Sequence, residues 1–287
     1  MLTQDQQNRI SEIIKSILVK RREKFPSSTV VVRNAPFHDL VLKAFEERLK
    51  PYEISTGQLI AISSWFHGLS TSLGTGYEHI AHILSGGYKR SFTKEFTGKI
   101  SEYQEQEINA IISSLKKNGA PNLELENEKL FSASESGKLT EALGFTIDVF
   151  IEQANKIVAV EVKSVRPNSG EGRGEKQKIL HGKAVLKRAY PDKAIEFYVG
   201  FPFDPTASQA TEYNKERFIN HLVEFKKFFD PHEILIGPEL WNKLSGKAGT
   251  MEAILMTVES TVKEFVNKSP LHGHPVVKPA TAKKSKT

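Results

Sequence analysis

Two short runs, Phe145–Glu152 and Ile157–Lys163, alternate in side-chain character, are rich in β-branched residues, and lie only four residues apart. That pattern specifies two antiparallel strands joined by a tight turn. With Ala154 and Asn155 as the turn, Glu152 pairs with Ile157, and Asp148 falls opposite Glu161. Directly opposed Cβ atoms lie about 5 Å apart. Lys163 is two positions beyond Glu161 and points to the same side. The reverse face carries Ile147, Val149, Ile151, Val158, Val160 and Val162, a continuous apolar surface. The hairpin is thus expected to bury one face and to gather two carboxylates and an ammonium on the other.

The segment before the hairpin reads as helical. Ile10, Ile13, Ile14, Ile17 and Leu18 share one helix face, and Pro26 ends that element. A second helix is expected over 36–49, before Pro51. Thr56 is the expected cap of a third, carrying Leu59, Ile60, Ile62, Trp65 and Phe66. Gly74 and Gly76 interrupt it, and the pattern resumes over 78–84. A further helix spans 100–115, stopped by Asn118-Gly119 and Pro121. After the hairpin come a Pro/Gly/Ser loop (167–174), a helix (176–189), a strand (196–203), a helix (215–229), a strand (233–236) and a helix (249–265). The expected fold is α/β, a mixed central sheet flanked by helices with an N-terminal helical layer. Its expected divisions are an N-terminal helical region (1–120), the core (121–268) and a disordered basic tail (269–287). There are no internal repeats.

The chain of 287 residues has no cysteine, which excludes a disulfide framework and a Cys-type zinc site. No apolar run approaches bilayer length and no leader is visible, so the expectation is a cytoplasmic protein without membrane contact. The net charge is +6, but Lys268, Lys278, Lys283, Lys284 and Lys286, with no acid among them, account for all but one of those charges. The body has its own basic focus. Residues 163–188 hold Lys163, Arg166, Arg173, Lys176, Lys178, Lys183, Lys187 and Arg188 against Glu171 and Glu175. That focus begins where the acid–acid–lysine trio ends.

Opposed carboxylates in a sheet repel, and a divalent cation relieves the repulsion. An oxygen-rich, cysteine-free, open site suits Mg²⁺, which also binds phosphate. Such an ion polarises a phosphoryl oxygen and acidifies a bound water. Lys163 would orient or help deprotonate that water and offset charge on the phosphate. The chemistry would be in-line hydrolysis of a phosphodiester. A solvated charged strand face is the plain alternative. The fit to a hairpin, the uniform apolar reverse face and the adjoining basic segment favour the chemical reading.

Ile147-Asp148-Val149 and Val160-Glu161-Val162-Lys163 resemble the core motif of the PD-(D/E)XK nucleases, with Ile in place of the Pro. A wider stretch, about 35–245, is similar to the TdeIII-type restriction endonucleases. It includes Ser70-Thr71-Ser72-Leu73-Gly74-Thr75-Gly76-Tyr77-Glu78, Thr146–Glu152 and Val160–Asn168. The resemblance implies a restriction-endonuclease-like core and a homodimer that cuts both strands of double-stranded DNA with Mg²⁺. The site would be a short palindrome, and similar enzymes read an interrupted one of the GGNCC type. It also implies a bacterial restriction system, whose DNA methyltransferase acts on the same site without a stable complex. Asp148 and Glu161 would hold the metal together with the backbone of Val162, and Lys163 would be the catalytic lysine.

Glu78 is open between two roles: a glutamate reaching the metal site from the helical layer, or an acid at a helix start favoured by the helix dipole. Arg166, Asn168, Arg173, Lys176, Lys178 and His181 are the expected DNA contacts, because glycines admit a phosphate and a basic helix start suits phosphates or guanine edges. A flexible loop with a solvated basic helix is the alternative. His79 and His82, without Cys or an HExxH pattern, suit capping or surface roles better than zinc. Neither glycine cluster forms a dinucleotide or P-loop motif. Two rival functions stay open: a structure-selective repair or junction nuclease, and a noncatalytic DNA-binding protein on a nuclease fold.

Overall fold

The computed structural model of the chain describes residues 1–26, 34–92, 98–132, 137–165 and 171–268. In order, the elements are α1 (Gln4–Glu23), α2 (Pro36–Leu42), α3 (Glu46–Leu49), α4 (Thr56–Ser85), β1 (Tyr88–Phe92), β2 (Lys99–Ser101), α5 (Glu102–Lys116), α6 (Leu123–Ser132), β3 (Leu139–Glu141), β4 (Phe145–Glu152), β5 (Lys156–Val162), α7 (Glu171–Ala189), β6 (Ala194–Phe201), α8 (Lys215–His221), α9 (Val223–Phe228), β7 (Ile234–Ile236), α10 (Pro238–Ser245) and α11 (Thr250–Lys268). The central sheet has the order β1-β4-β5-β6-β7, and β2 pairs separately with β3. β4 pairs antiparallel with both β1 and β5, while β5, β6 and β7 run parallel, so the sheet is mixed as expected.

The hairpin holds the expected register. Partners run from Glu152↔Ile157 to Val149↔Val160, and the Gln153 N–H donates to the Lys156 carbonyl at 2.9 Å. Asp148 and Glu161 are the next positions on the two strands. Its outer neighbour is less regular. Tyr88 pairs with Phe150 but Arg90 pairs with Ile147, so Lys89 alone faces both Asp148 and Val149. Such a bulge turns the chain locally and re-aims a side chain.

This bulge corrects one expectation. Ile147 does not continue the face of Val149, Ile151, Val158 and Val160. It joins Phe145, Phe150, Ile157 and Ala159 in the core beneath α5, α7 and α9. Val149, Val158 and Val160 face the other core, under α1, α4, α10 and α11. Both faces of the hairpin are therefore apolar along most of its length, and the acidic group occupies only one end.

α4 also differs from its expectation. It is one helix of 30 residues, capped by Ser55 in a reciprocal box with Gln58, and the glycines do not break it. Each glycine costs about 1 kcal/mol of helix propensity. At Gly76 a Cβ would lie 3.1 Å from Ile17 Cδ1, so the bare backbone is what lets α1 approach. Glu78 is thus inside a helix rather than at its start, and the helix-dipole reading of that residue falls away. Among the described residues no helix is long and apolar enough to cross a membrane.

α7 begins earlier than expected, and its inward face corrects two assignments. Lys176 is fully buried, 2.5 Å from Glu126 and 2.6 Å from Glu233. Lys183, equally buried, reaches Glu233 at 2.9 Å. Burial raises the Glu233 carboxyl, but Lys183 and Lys176 overrule it and hold it below the ordinary value. Lys176 thus lies inside the protein among carboxylates and has no route to DNA. His181 is also buried, and its Nδ1 accepts the Leu143 N–H at 3.4 Å. Burial pulls its imidazole down to about 4. It is a neutral core acceptor, not a DNA contact.

Two outcomes follow. Glu233→Gln leaves two buried ammoniums short of a counter-charge and should destabilise the protein by about 3 to 5 kcal/mol in urea unfolding. His181 titrates at about 4 when folded, against an ordinary 6.5. The unfolded chain therefore takes up its proton first as pH falls, and stability drains away between pH 6.5 and 4, by about 3 kcal/mol at most. His181→Asn, which keeps an acceptor but cannot titrate, should flatten that part of the stability–pH curve.

Candidate active site

Four elements converge where β4 and β5 part. β4 supplies Asp148 at the bulge. β5 supplies Glu161 near its carboxyl end, with Lys163 just past it. β1 supplies Lys89, and α7 returns over the strand end with Glu175 and Lys178. Ligand sites in sheets with parallel strands favour such carboxyl ends.

Asp148 and Glu161 are 8% and 5% exposed. Asp148 Oδ2 accepts the backbone N–H of Val162 at 3.0 Å, and Oδ1 lies 3.4 Å from the Lys89 ammonium. Lys89 also donates to Glu78 Oε2 at 2.9 Å. Glu78 is thereby brought to the site through one intervening lysine. One turn further along the same face of α4, the His82 ring Nε2 hydrogen-bonds the Asp148 carbonyl at 2.6 Å, which ties the bulge to the helix.

Glu161 Oε1 accepts from Lys178 at 2.6 Å and from Lys163 at 3.1 Å. Lys163 lies 2.8 Å from Glu175 Oε1. Burial pushes the Glu161 carboxyl above the usual range, the Asp148 charge adds to this, and Lys163 and Lys178 offset part of it. For Lys163, burial acts downward but Glu161 and Glu175 outweigh it, so its proton is held more tightly than usual. Glu161 Oε2 is buried without a hydrogen-bond partner among the described residues. A buried, unsatisfied carboxylate oxygen is costly and calls for a cation or a donor.

Those residues fit a divalent metal. The orphaned Glu161 oxygen and the adjacent Asp148 offer hard oxygen donors of the kind Mg²⁺ takes with few protein ligands. No group of three or more His, Cys, Asp or Glu able to hold a metal is present among the described residues. Among the described residues the site offers two carboxylates, with the remaining positions left for water, phosphate or backbone.

The expected DNA contacts divide. Arg166 and Asn168 lie outside the described residues. Arg173 is exposed in the first turn of α7. Lys178 is three-quarters covered and bonds Glu161, so it belongs to the acidic group itself. The sequence reading did not single out Lys89 or Glu175. Glu175 and Lys178 sit three apart in a helix, a spacing that puts them on one face and was available to find them.

Residues 2–262 match the HinfI family of type II restriction endonucleases. The type II restriction enzyme MjaII of Methanocaldococcus jannaschii is 42% identical over 267 residues, covering 88% of this chain and 71% of that protein. The motifs resemble the TdeIII type, and the family matched is that of HinfI, within the same class of enzyme. An acid–acid–lysine group at a strand end and a family match along nearly the whole chain agree: the chain belongs to the HinfI family of type II restriction endonucleases and is a site-specific deoxyribonuclease.

Proposed function

We propose that Asp148, Glu161 and Lys163 hydrolyse phosphodiester bonds in double-stranded DNA with Mg²⁺, at a short palindromic site, in a homodimer. The observation that carries this reading is the pair of buried carboxylates beside Lys163, one of them with an unsatisfied oxygen. The membership of the family supports the substrate class.

In this reading Asp148 and Glu161 hold the metal, with the backbone of Val162 adjoining them. When bound, the ion would supply Lewis acidity at the phosphate and an acidified water. The protein's own part is electrostatic and positional. The Val162 N–H fixes one Asp148 oxygen, so the carboxylate presents the other. Lys163, beside Glu161 and Glu175, serves as a donor to charge developing on the phosphate or orients the attacking water. Arg173, together with Arg166 and Asn168, is proposed to contact the DNA. Glu78 acts through Lys89, steadying the ammonium that faces Asp148.

Two copies related by a two-fold axis match a palindrome and put one site on each strand. A methyltransferase acting on the same sequence, in the same cytoplasm, would protect the host without forming a stable complex. GGNCC is the first sequence to seek in a fragment pattern.

Unmethylated phage DNA should yield discrete bands with Mg²⁺ and none with EDTA. A smear would favour a repair or junction nuclease. Intact DNA from several sources, with binding that persists in EDTA, would favour a noncatalytic binder and sink the proposal. Asp148→Asn, Glu161→Gln and Lys163→Ala should each lower single-turnover cleavage by roughly a hundred- to ten-thousand-fold. DNA binding in Ca²⁺, followed by gel shift, should survive Lys163→Ala far better than cleavage does.

A further inference from the structure

Lys178 has two carboxylates within reach. Its ammonium is 2.6 Å from Glu161 Oε1 and 3.8 Å from Glu175 Oε2. The Glu175 oxygen is buried and has no hydrogen-bond partner among the described residues. Glu175 and Lys178 belong to the same helix face, so moving the ammonium from one carboxylate to the other needs only side-chain rotation. The Lys163 ammonium, by contrast, is already held by both carboxylates, 3.1 Å from Glu161 and 2.8 Å from Glu175 Oε1.

A cation placed on Glu161 must meet the Lys178 ammonium. Like charges a few ångströms apart in a partly buried site repel, and the low local dielectric screens them poorly. The unsatisfied Glu175 oxygen gives the ammonium somewhere to go. Resting on the nuclease reading above, we propose that Lys178 and a divalent cation compete for Glu161, and that Glu175 is the berth Lys178 takes when the cation wins. Lys178 is then a positioning residue. It neutralises a buried carboxylate, yields it to the metal, and remains beside the site on α7. Glu175 does two jobs, anchoring Lys163 through one oxygen and receiving Lys178 on the other.

The two residues should shift metal affinity in opposite directions, which general damage to the site would not do. Calorimetric titration of the full chain with Mn²⁺ alone, without DNA, reads this directly. Lys178→Met should tighten Mn²⁺ binding roughly tenfold, since one like charge near the ion is gone. Glu175→Gln should weaken it several-fold, because the displaced ammonium loses its berth. Lys178→Arg, which keeps the charge, should stay near the wild-type affinity. If Lys178→Met proves unstable by thermal melt, Lys178→Gln serves the same comparison. An unchanged or weaker Mn²⁺ affinity in folded Lys178→Met or Lys178→Gln, while the wild type cuts DNA with Mg²⁺, overturns the competition and leaves the nuclease reading standing. Absence of both Mn²⁺ binding and Mg²⁺-dependent cleavage in the wild type overturns the nuclease reading, and this inference with it.

Discussion

Asp148 and Glu161 are negative charges at neighbouring positions of two paired strands, almost out of water. Left alone they would repel and would lose most of their hydration. The surrounding structure answers both problems. Lys89 comes from the edge strand, Lys163 from the end of β5 and Lys178 from α7, while the Val162 N–H takes one Asp148 oxygen. The donors come from β1, β5 and α7, so the edge-strand bulge and the α7 crossover must be in place together. One oxygen of Glu161 still has no hydrogen-bond partner among the described residues, and that remaining deficit is what suits the site to a metal.

α7 shows how one basic helix divides its charges by face. Lys176 and Lys183 point inward and are neutralised by Glu126 and Glu233. Lys178 turns to the site with Glu175, and Arg173 faces solvent. The concentration of lysine and arginine after the motif is therefore not one DNA-binding surface. Part of it is internal scaffolding, and a buried ion pair is chiefly costly to break rather than a large source of stability. Breaking the inner network would displace the helix that carries the outer pair.

The missed elements have physical causes. β1 reads Tyr-Lys-Arg-Ser-Phe, without a β-branched residue, and is held instead by side-chain stacking. Arg90 lies over Phe92 and Phe150, and Phe92 stacks on Phe145 at 4.5 Å. Propensity does not record such pairings. The two glycines in α4 suggested a break, since local propensity cannot register that α1 needs the space at Gly76. α10 was too short for periodicity to stand out, although its Trp241 is buried and donates to the Pro202 carbonyl at 2.8 Å.

The sequence alone determined the hairpin, its register and the neighbourhood of Asp148, Glu161 and Lys163. Those follow from a strand period of two and a short turn, both local properties of the chain. It also determined a mixed sheet between helical layers. Only the tertiary structure decided that the bulge turns Ile147 into the opposite core, that Lys89 sits against Asp148, and that Lys176 and His181 are interior groups. A charge does not announce in sequence whether its partner lies 57 residues away, as Glu233 does from Lys176, or in solvent. Burial and pairing are set by which faces meet after the elements pack, and so the role of each ionisable side chain was fixed there.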